Sequence, residues 1–421
     1  MQKISLVTDN TLIVGIDIAK YTHWAQVTDS KGIPLCKPIK INNNIDEFQA
    51  FTAQILSIKA ERGLTTIMIG FEPSGHYWRN LAFFLREIDC VKLVGVNPYH
   101  VRQLKELDDN SQTKSDKKDA LVIARLIRDG RFFEMYMPDD EFGHLRILRK
   151  HREQTSTMRK QTINLIHCVL DEYFPEYEKI GFEINTISSL IILKTCPFPC
   201  DWISKNDQEL RAAWKTVADI SKIRISKAVV SRLRNAAENS IGVNVCIQAA
   251  RMKLSNLIDQ LELFNRQINA VDAEMENIIT GLDIEPFITS VPGVGKVTAA
   301  SFIAETGDLN RFQDWKQIRK LAGLNLVEQS SGTHKGKTSI SKRGRPDLRR
   351  TIYVIGDKGM LVSHEMMAYY QYLRHRSSNQ LHHNQAVLAV GLKLMRIMFH
   401  VVKNKEFYDP RKALDLNMCT V

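Results

Sequence analysis

Two short runs of almost unbroken apolar residues each end on a carboxylate: TLIVGID closes on Asp17 and TTIMIGFE on Glu72. Runs of this length, rich in β-branched residues, read as buried strands. A third run, VKLVGV at 91–96, is stopped by Asn97 and Pro98. HWAQVTD alternates, and IPLCKPIKI follows a Lys31-Gly32 turn signal, so 12–41 reads as three short strands. Helical patterns are expected at 44–62 and 76–89, and two further helices at roughly 99–107 and 115–130. Strands followed by alternating helices and strands predict an α/β layered sheet. A carboxylate after a buried strand then lies on the carboxyl edge of the sheet, where open α/β sheets place their sites.

Two more acids join these. TKSDKKDA puts Asp116 and Asp119 three residues apart, on one face of a helix that Ser115 is placed to cap. Four acids near one point repel unless cations lie between them, and an all-oxygen set suits Mg²⁺, with Mn²⁺ as the substitute. Paired ions of that kind activate a nucleophile and stabilise a leaving oxygen at phosphorus. Singly, each signal is weak. GID also opens sugar-kinase and actin-like folds, where it meets nucleotide phosphates, and a DxxD on a helix is more often a solvated face. The order strand-Asp, strand-Glu, helix-DxxD is far more specific.

Beyond residue 140 the pattern turns helical and charged. Apolar residues recur by threes and fours over 141–180 and again over 243–282. These long helices predict either an antiparallel coiled-coil-like hairpin that brings subunits together or ordinary bundle helices. Residues 181–240 are less periodic, contain Pro197 and Pro199, and read as an insertion without assigned structure. Three regions follow: 1–140, a helical linker at 141–283, and 284–421.

The third region begins with SVPGVGKVTAASFIAE, a helix–hairpin–helix pattern. Backbone N–H groups of Gly293, Val294 and Gly295 at a helix start suit a phosphate, and Lys296 adds charge. A tight helix connection is the plainer reading, and the P-loop spacing is absent. Further on, Gln329, Ser330, Ser331, Gly332 and Thr333 form a polar loop. Lys335, Lys337, Lys342, Arg343, Arg345, Arg349 and Arg350 follow, opposed within 335–350 only by Asp347. This density of cations suits a phosphate backbone and salt-dependent binding. A serine among cations is also a candidate nucleophile at phosphorus, although loop serines usually cap or solvate.

Composition narrows the class. The 421 residues carry a formal charge of +11, which suits nucleic acid but is not specific to it. Seven scattered cysteines argue against a disulfide framework, and Cys196 and Cys200 lack the second ligand pair of a zinc site. No run of about 18 uninterrupted apolar residues occurs, so no membrane span is expected. The first residues lack the pattern of a cleavable signal, so a cytosolic location is expected. His76, His334, His382 and His383 have no spacing that defines a metal site.

GIDIAK, FEPSGHYW, NPYHVRQ and TKSDKKDA resemble, in order, the four blocks of the catalytic domain of insertion sequence 110 family transposases, a DEDD group. SVPGVGKVTAA, LAGLNLVEQSSG and ISKRGRPDLRRTIY resemble its C-terminal transposase domain. The resemblance covers both ends of the chain and leaves 181–240 without a motif. It implies a RuvC-like, RNase-H-fold α/β domain, a helical coiled-coil-like middle and a mostly α-helical C-terminal domain. It implies that Asp17, Glu72, Asp116 and Asp119 bind Mg²⁺ and that Ser331 is the nucleophile, with Ser330 one residue away as the alternative. The implied partners are donor and target DNA, a bridge noncoding RNA and further copies of the chain, as dimers and tetramers. The implied location is the nucleoid of a prokaryotic cytoplasm.

Three rivals share parts of this pattern. A RuvC-like junction nuclease uses the acids but attacks with water. A non-catalytic nucleic-acid-binding protein uses only the hairpin and the basic loop. An ATP-using phosphotransferase rests on GID alone.

Overall fold

The computed structural model describes residues 3–108, 116–138, 140–181, 183–217, 225–328, 330–331, 334–336 and 338–415. The chain divides into two compact units, Met1–Met137 and Pro138–Val421. The first contains one mixed sheet of six strands in the order β3-β2-β1-β4-β5-β6. In chain order its elements are β1 (Thr11–Asp17), β2 (Thr22–Thr28), β3 (Ile39–Asn42), α1 (Ile45–Glu61), β4 (Thr66–Phe71), α2 (Trp78–Leu85), β5 (Val91–Val96), α3 (Pro98–Asp108), α4 (Asp116–Arg128) and β6 (Phe132–Glu134). β1, β2 and β3 form an antiparallel meander; β1, β4 and β5 run parallel; β6 closes the edge antiparallel to β5.

The apolar runs form strands because both of their faces are covered. Leu12, Val14, Ile16, Ile67, Ile69 and Phe71 pack with residues of α1 and α2. Ile13, Met68, Val94 and Val96 pack on the other face with Val122, Ile123, Ala124 and Ile127 of α4. Two boundaries differ from the sequence reading. Of the third expected strand Ile39–Asn42 joins the sheet as β3 and Pro34 makes only an isolated bridge to Thr28, since prolines at 34 and 38 interrupt the ladder. The FFE strand β6 has only three residues, too few for a period to show.

The second unit is mostly helical. Its elements are α5 (Glu141–Tyr173), α6 (Ile187–Thr195), α7 (Pro199–Ser204), α8 (Asp207–Val217), α9 (Lys227–Glu238), α10 (Ile247–Thr280), α11 (Glu285–Thr289), α12 (Lys296–Thr306), α13 (Trp315–Leu321), β7 (Leu326–Val327), β8 (Ser330–Ser331), β9 (His334–Lys335), β10 (Ser339–Ile340), α14 (Pro346–Val362), α15 (His364–His375), α16 (His383–Asn404) and α17 (Pro410–Asp415). α5 and α10 lie antiparallel. Arg152 pairs with Asp272, with Nη2 donating to Oδ2 at 3.0 Å, and Arg159 reaches Asn265 about two turns further along.

The two long helices bridge two separate cores. Their 166–170 and 250–261 ends belong to a core with Phe174, Phe198, Trp202 and Trp214. Leu145, Val271, Met275 and Ile279 belong to another with α12, α14 and α16. The described part of the stretch expected as an unassigned insertion is therefore four helices packed on one end of the pair. They escaped pattern reading because they are 6–12 residues long, too short to repeat an apolar face. Pro199 opens α7, where a missing N–H costs nothing. Cys196 is buried and its carbonyl accepts the Trp202 indole N–H at 2.9 Å. Burial pushes its thiol above the usual value, which suits an inert core cysteine.

α16 is long and apolar enough to cross a membrane, but 56% of that stretch is buried inside the protein. Val387, Val390, Leu394, Met398 and Val401 form the buried stripe. The stripe packs on α14 through glycines: a Cβ on Gly391 would sit 2.2 Å from the Ile352 carbonyl oxygen.

Candidate active site

Asp17 is the last residue of β1, and Glu72 follows the last residue of β4. The parallel register pairs Ile16 with Phe71, so Asp17 and Glu72 are the next positions along neighbouring strands. Neighbouring strands run about 4.8 Å apart. Side chains alternate with period two, so positions 13, 15 and 17 share the α4 face with 68, 70 and 72. Both carboxylates therefore stand on one edge and one face of the sheet, and both are half-buried.

α4 brings the other two acids to that edge. A Cβ on Gly15 would lie 2.1 Å from the Ala120 carbonyl oxygen, so only glycine lets the helix lie this close to β1. Arg128, at the far end of α4, donates to the Lys31 carbonyl just past β2. β2 is antiparallel to β1, so that contact marks the amino edge of β1. The opposite end of α4, bearing Asp116 and Asp119, consequently points to the carboxyl edge. Asp119 is half-buried; the Asp116 side chain and Ser115 lie outside the described residues.

An all-carboxylate donor set on one edge matches the chemistry of a hard divalent ion. Among the described residues, no three His, Cys, Asp or Glu side chains are drawn together round a common point. Edge, face and donor type fit Mg²⁺; ligand-distance convergence is not present among the residues described.

The serine segment stands on a nested hairpin. β7 pairs with β10, and beyond them β8 pairs with β9, with Ser331 opposite His334. The side chains of Ser330, Ser331, His334 and Lys335, and all of Gly332, Thr333 and Lys337, lie outside the described residues. The hairpin is moored at its base. Ser341 N–H donates to the Asn325 carbonyl at 2.8 Å, Lys342 N–H to Gly323 at 2.9 Å, and Arg345 N–H to Leu321 at 2.7 Å. Lys342 takes a left-handed φ of 52° to make this turn, and Gly323 sits beneath it at φ 67°.

Lys342 and Arg343 are exposed at the hairpin base, and Arg343 also makes an interaction within the protein. Four others have partners within the protein. Lys296 Nζ bonds Thr280 Oγ1 at 3.0 Å and lies 3.8 Å from Glu285. Arg345 donates to the Glu305 carbonyl and lies 3.8 Å from its carboxylate. Arg349 donates to the Ala322 carbonyl at 3.0 Å, and Arg350 pairs with Glu153. Arg349 and Arg350 also line an open groove of about 330 Å³ with Pro346, Tyr353, Asn384 and Leu388. A density of cations is visible in sequence, but the carbonyls and acids that engage them are not.

The PGVG turn is more structural than its sequence suggests. Val294 N–H is spent on the Val291 carbonyl at 3.1 Å. Gly293 takes φ 78°, and a Cβ there would lie 2.4 Å from Gly359 N of α14. The turn is thus a helix contact, and of the three N–H groups Val294 is already committed.

Sequence reading passed over one further cluster. Arg149 is buried, donates to Thr351 Oγ1 at 3.4 Å and lies 3.7 Å from Glu153. Burial raises the Glu305 carboxyl above its ordinary value, against the pull of Arg345 and Arg149. This network ties α5 and α12 to α14 and the hairpin base. The i,i+4 spacing of Arg149 and Glu153 was its one local signal.

Comparison with known proteins finds family matches toward both ends of the chain. The IS110-type DEDD transposase family model matches residues 14–175. The model described as transposase, IS116/IS110/IS902 family, matches residues 285–371. The chain belongs to the IS110 family of transposases. The transposase is 26% identical to the insertion element IS116 44.8 kDa protein of Streptomyces clavuligerus, over 94% of this chain and 96% of that protein. It is 33% identical to the transposase for insertion sequence element IS1111A of Coxiella burnetii, over 24% of this chain and 28% of the other. A pilin gene-inverting protein of Moraxella bovis is 26% identical over 30% of this chain and 38% of its own length. As a DNA transposase it is an enzyme; one family match spans the carboxylate edge and the other spans the serine hairpin.

Proposed function

We propose that this transposase cuts and rejoins DNA with a serine nucleophile on a RuvC-like, RNase-H-type scaffold, guided by a noncoding bridge RNA. The observation that carries the reading is the approach of Asp17 and Glu72 on one sheet edge to the end of α4 that bears Asp116 and Asp119. Mg²⁺, or Mn²⁺, held by these four acids would supply positive charge to the phosphoryl oxygens.

The chain's own residues supply the rest. Ser331 Oγ loses its proton and forms a bond to the scissile phosphorus. The bond from phosphorus to the leaving sugar oxygen breaks, and that oxygen takes up a proton. The resulting phosphoserine ester conserves the bond for rejoining to a second DNA end. Lys342 and Arg343, exposed at the hairpin base, hold the backbone. The α5–α10 pair serves assembly into dimers and tetramers, in which the acids and the serine come from different subunits. Donor and target DNA pair with the RNA, so the protein reads backbone more than sequence. The site of action is the nucleoid in the cytoplasm of a prokaryotic cell.

The test is to trap the covalent protein–DNA adduct on a nicked substrate. Ser331→Ala is expected to abolish the adduct and to slow strand transfer by on the order of 10⁶-fold, the scale of losing a catalytic serine. An adduct that persists in Ser331→Ala and vanishes in Ser330→Ala moves the nucleophile by one residue. Cleavage without any adduct favours water attack and a junction-nuclease reading.

A further inference from the structure

A second cationic surface lies outside the serine hairpin. On α16, Lys393 and Arg396 stand three residues apart and are half-buried. Lys393 Nζ lies 4.5 Å from the centre of the Tyr369 ring of α15. The Arg396 guanidinium lies 5.6 Å from the Trp315 ring of α13, and Arg319, whose Nε–H donates to Asn325 Oδ1 at 3.0 Å, lies 5.1 Å from the same ring. Neither Lys393 nor Arg396 forms an ion pair with a carboxylate among the described residues. Burial and the like charge of Arg396 both lower the Lys393 pKa.

Such an arrangement is costly in isolation. Half-burying a cation removes water that stabilises it, and a neighbouring like charge adds to the cost. Rings return part of it through their faces. A surface that keeps two adjacent cations this way, fixed over aromatic rings and without an ion pair to a carboxylate among the described residues, is prepared for an anion from outside.

The position identifies the anion. The far end of α13 is the mooring of the serine hairpin: Leu321 accepts from Arg345 N–H and Ala322 from Arg349. α13 has seven residues, so its two ends are about 10 Å apart at 1.5 Å per residue. That span equals roughly three nucleotide steps of about 3.4 Å along one strand.

We infer that Lys393, Arg396 and Arg319, set around Trp315 and Tyr369, form a backbone-binding site for the duplex DNA the enzyme acts on, a few nucleotides from the serine hairpin. The identification of the anion as the DNA backbone, and its distance to the reaction centre, rest on the proposed role of Ser331; the cationic surface itself does not. Binding is therefore measured apart from cleavage.

The full-length protein is titrated with a labelled duplex oligonucleotide at several salt concentrations. Lys393→Gln combined with Arg396→Gln is expected to weaken binding and to reduce the log–log salt slope by about 1.8, the loss of two phosphate contacts. The charge-keeping pair Lys393→Arg and Arg396→Lys is expected to retain the slope. An unchanged slope in a folded glutamine variant overturns the site. Amine labelling of Lys393 in the unmutated protein is independent of any folding defect. Duplex is expected to protect Lys393 several-fold at low salt, with protection lost at high salt; equal labelling with and without duplex overturns the proposal. Protection by a structured RNA and not by duplex overturns the DNA assignment.

Discussion

The carboxylate edge and the serine hairpin are held by opposite means. Asp17 and Glu72 extend from strands buried on both faces, so their backbone positions follow from a core. Ser330 and Ser331 belong to two-residue strands, and beneath them Leu326 is 66% exposed and Val327 40%. Among the described residues the hairpin's apolar anchoring is slight, Ile340 alone packing on the core of the second unit. Most of what fixes it is polar: carbonyls at the end of α13 and the half-buried Arg345–Glu305 contact at its base. One half of the proposed chemistry is placed by packing, the other by a few directed contacts. A directed contact costs little to rearrange, which suits the part that must meet a DNA strand and then release it.

This contrast is tested most severely at the sheet edge. Asp17→Asn keeps the shape and removes the charge, and strand cleavage is expected to fall roughly 100- to 1,000-fold, as when one charge-stabilising group is lost. A gel assay of cleavage checks this, and near-wild-type rates would remove Asp17 from the site.

A smaller effect is expected from Gly15→Ala. The new Cβ meets the Ala120 carbonyl at 2.1 Å, a backbone atom that cannot swing aside. α4 must shift, at a cost of about 1–3 kcal/mol in urea unfolding. Cleavage should fall as well, since Asp116 and Asp119 travel with the helix. Unchanged stability would show that α4 is not pressed onto the strand.

The smallest effect concerns the hairpin base. Burial raises the Glu305 pKa, so the folded state holds that proton more tightly than the unfolded chain. Its contribution to stability is greatest below the usual carboxylate range. The contribution is lost as pH rises through that range to the raised folded value. Glu305→Gln should remove this downward slope from the pH–stability profile. An identical profile in the variant would mean that the carboxyl does not titrate differently on folding.

Much of the first unit is legible in the sequence. The strand and helix order of the first 130 residues can be read because each element is long enough to show its period and is bounded by turn residues. Asp17 and Glu72 are legible for the same reason: a strand end is a local feature. The four short helices between 187 and 238 are not, since a single turn or two shows no period. Nor are the partners of Arg345, Arg349 and Arg350, because an arginine bound to a carbonyl and one awaiting a phosphate have the same local sequence. The pairing of α5 with α10 is expected in outline, but not that it spans two cores.

The order of residues along the chain thus settles which segments are buried strands, where the acids fall on them, and which family the motifs resemble, because these depend on near neighbours. Packing in three dimensions settles the rest. It lays α4 against Gly15 with its acidic end at the carboxyl edge of β1. It gives Arg345, Arg349 and Arg350 internal partners, and it sets Lys393 and Arg396 together over rings with no ion pair to a carboxylate among the described residues. Those outcomes depend on atoms far apart in the chain, and packing and charge select them only after the elements have met.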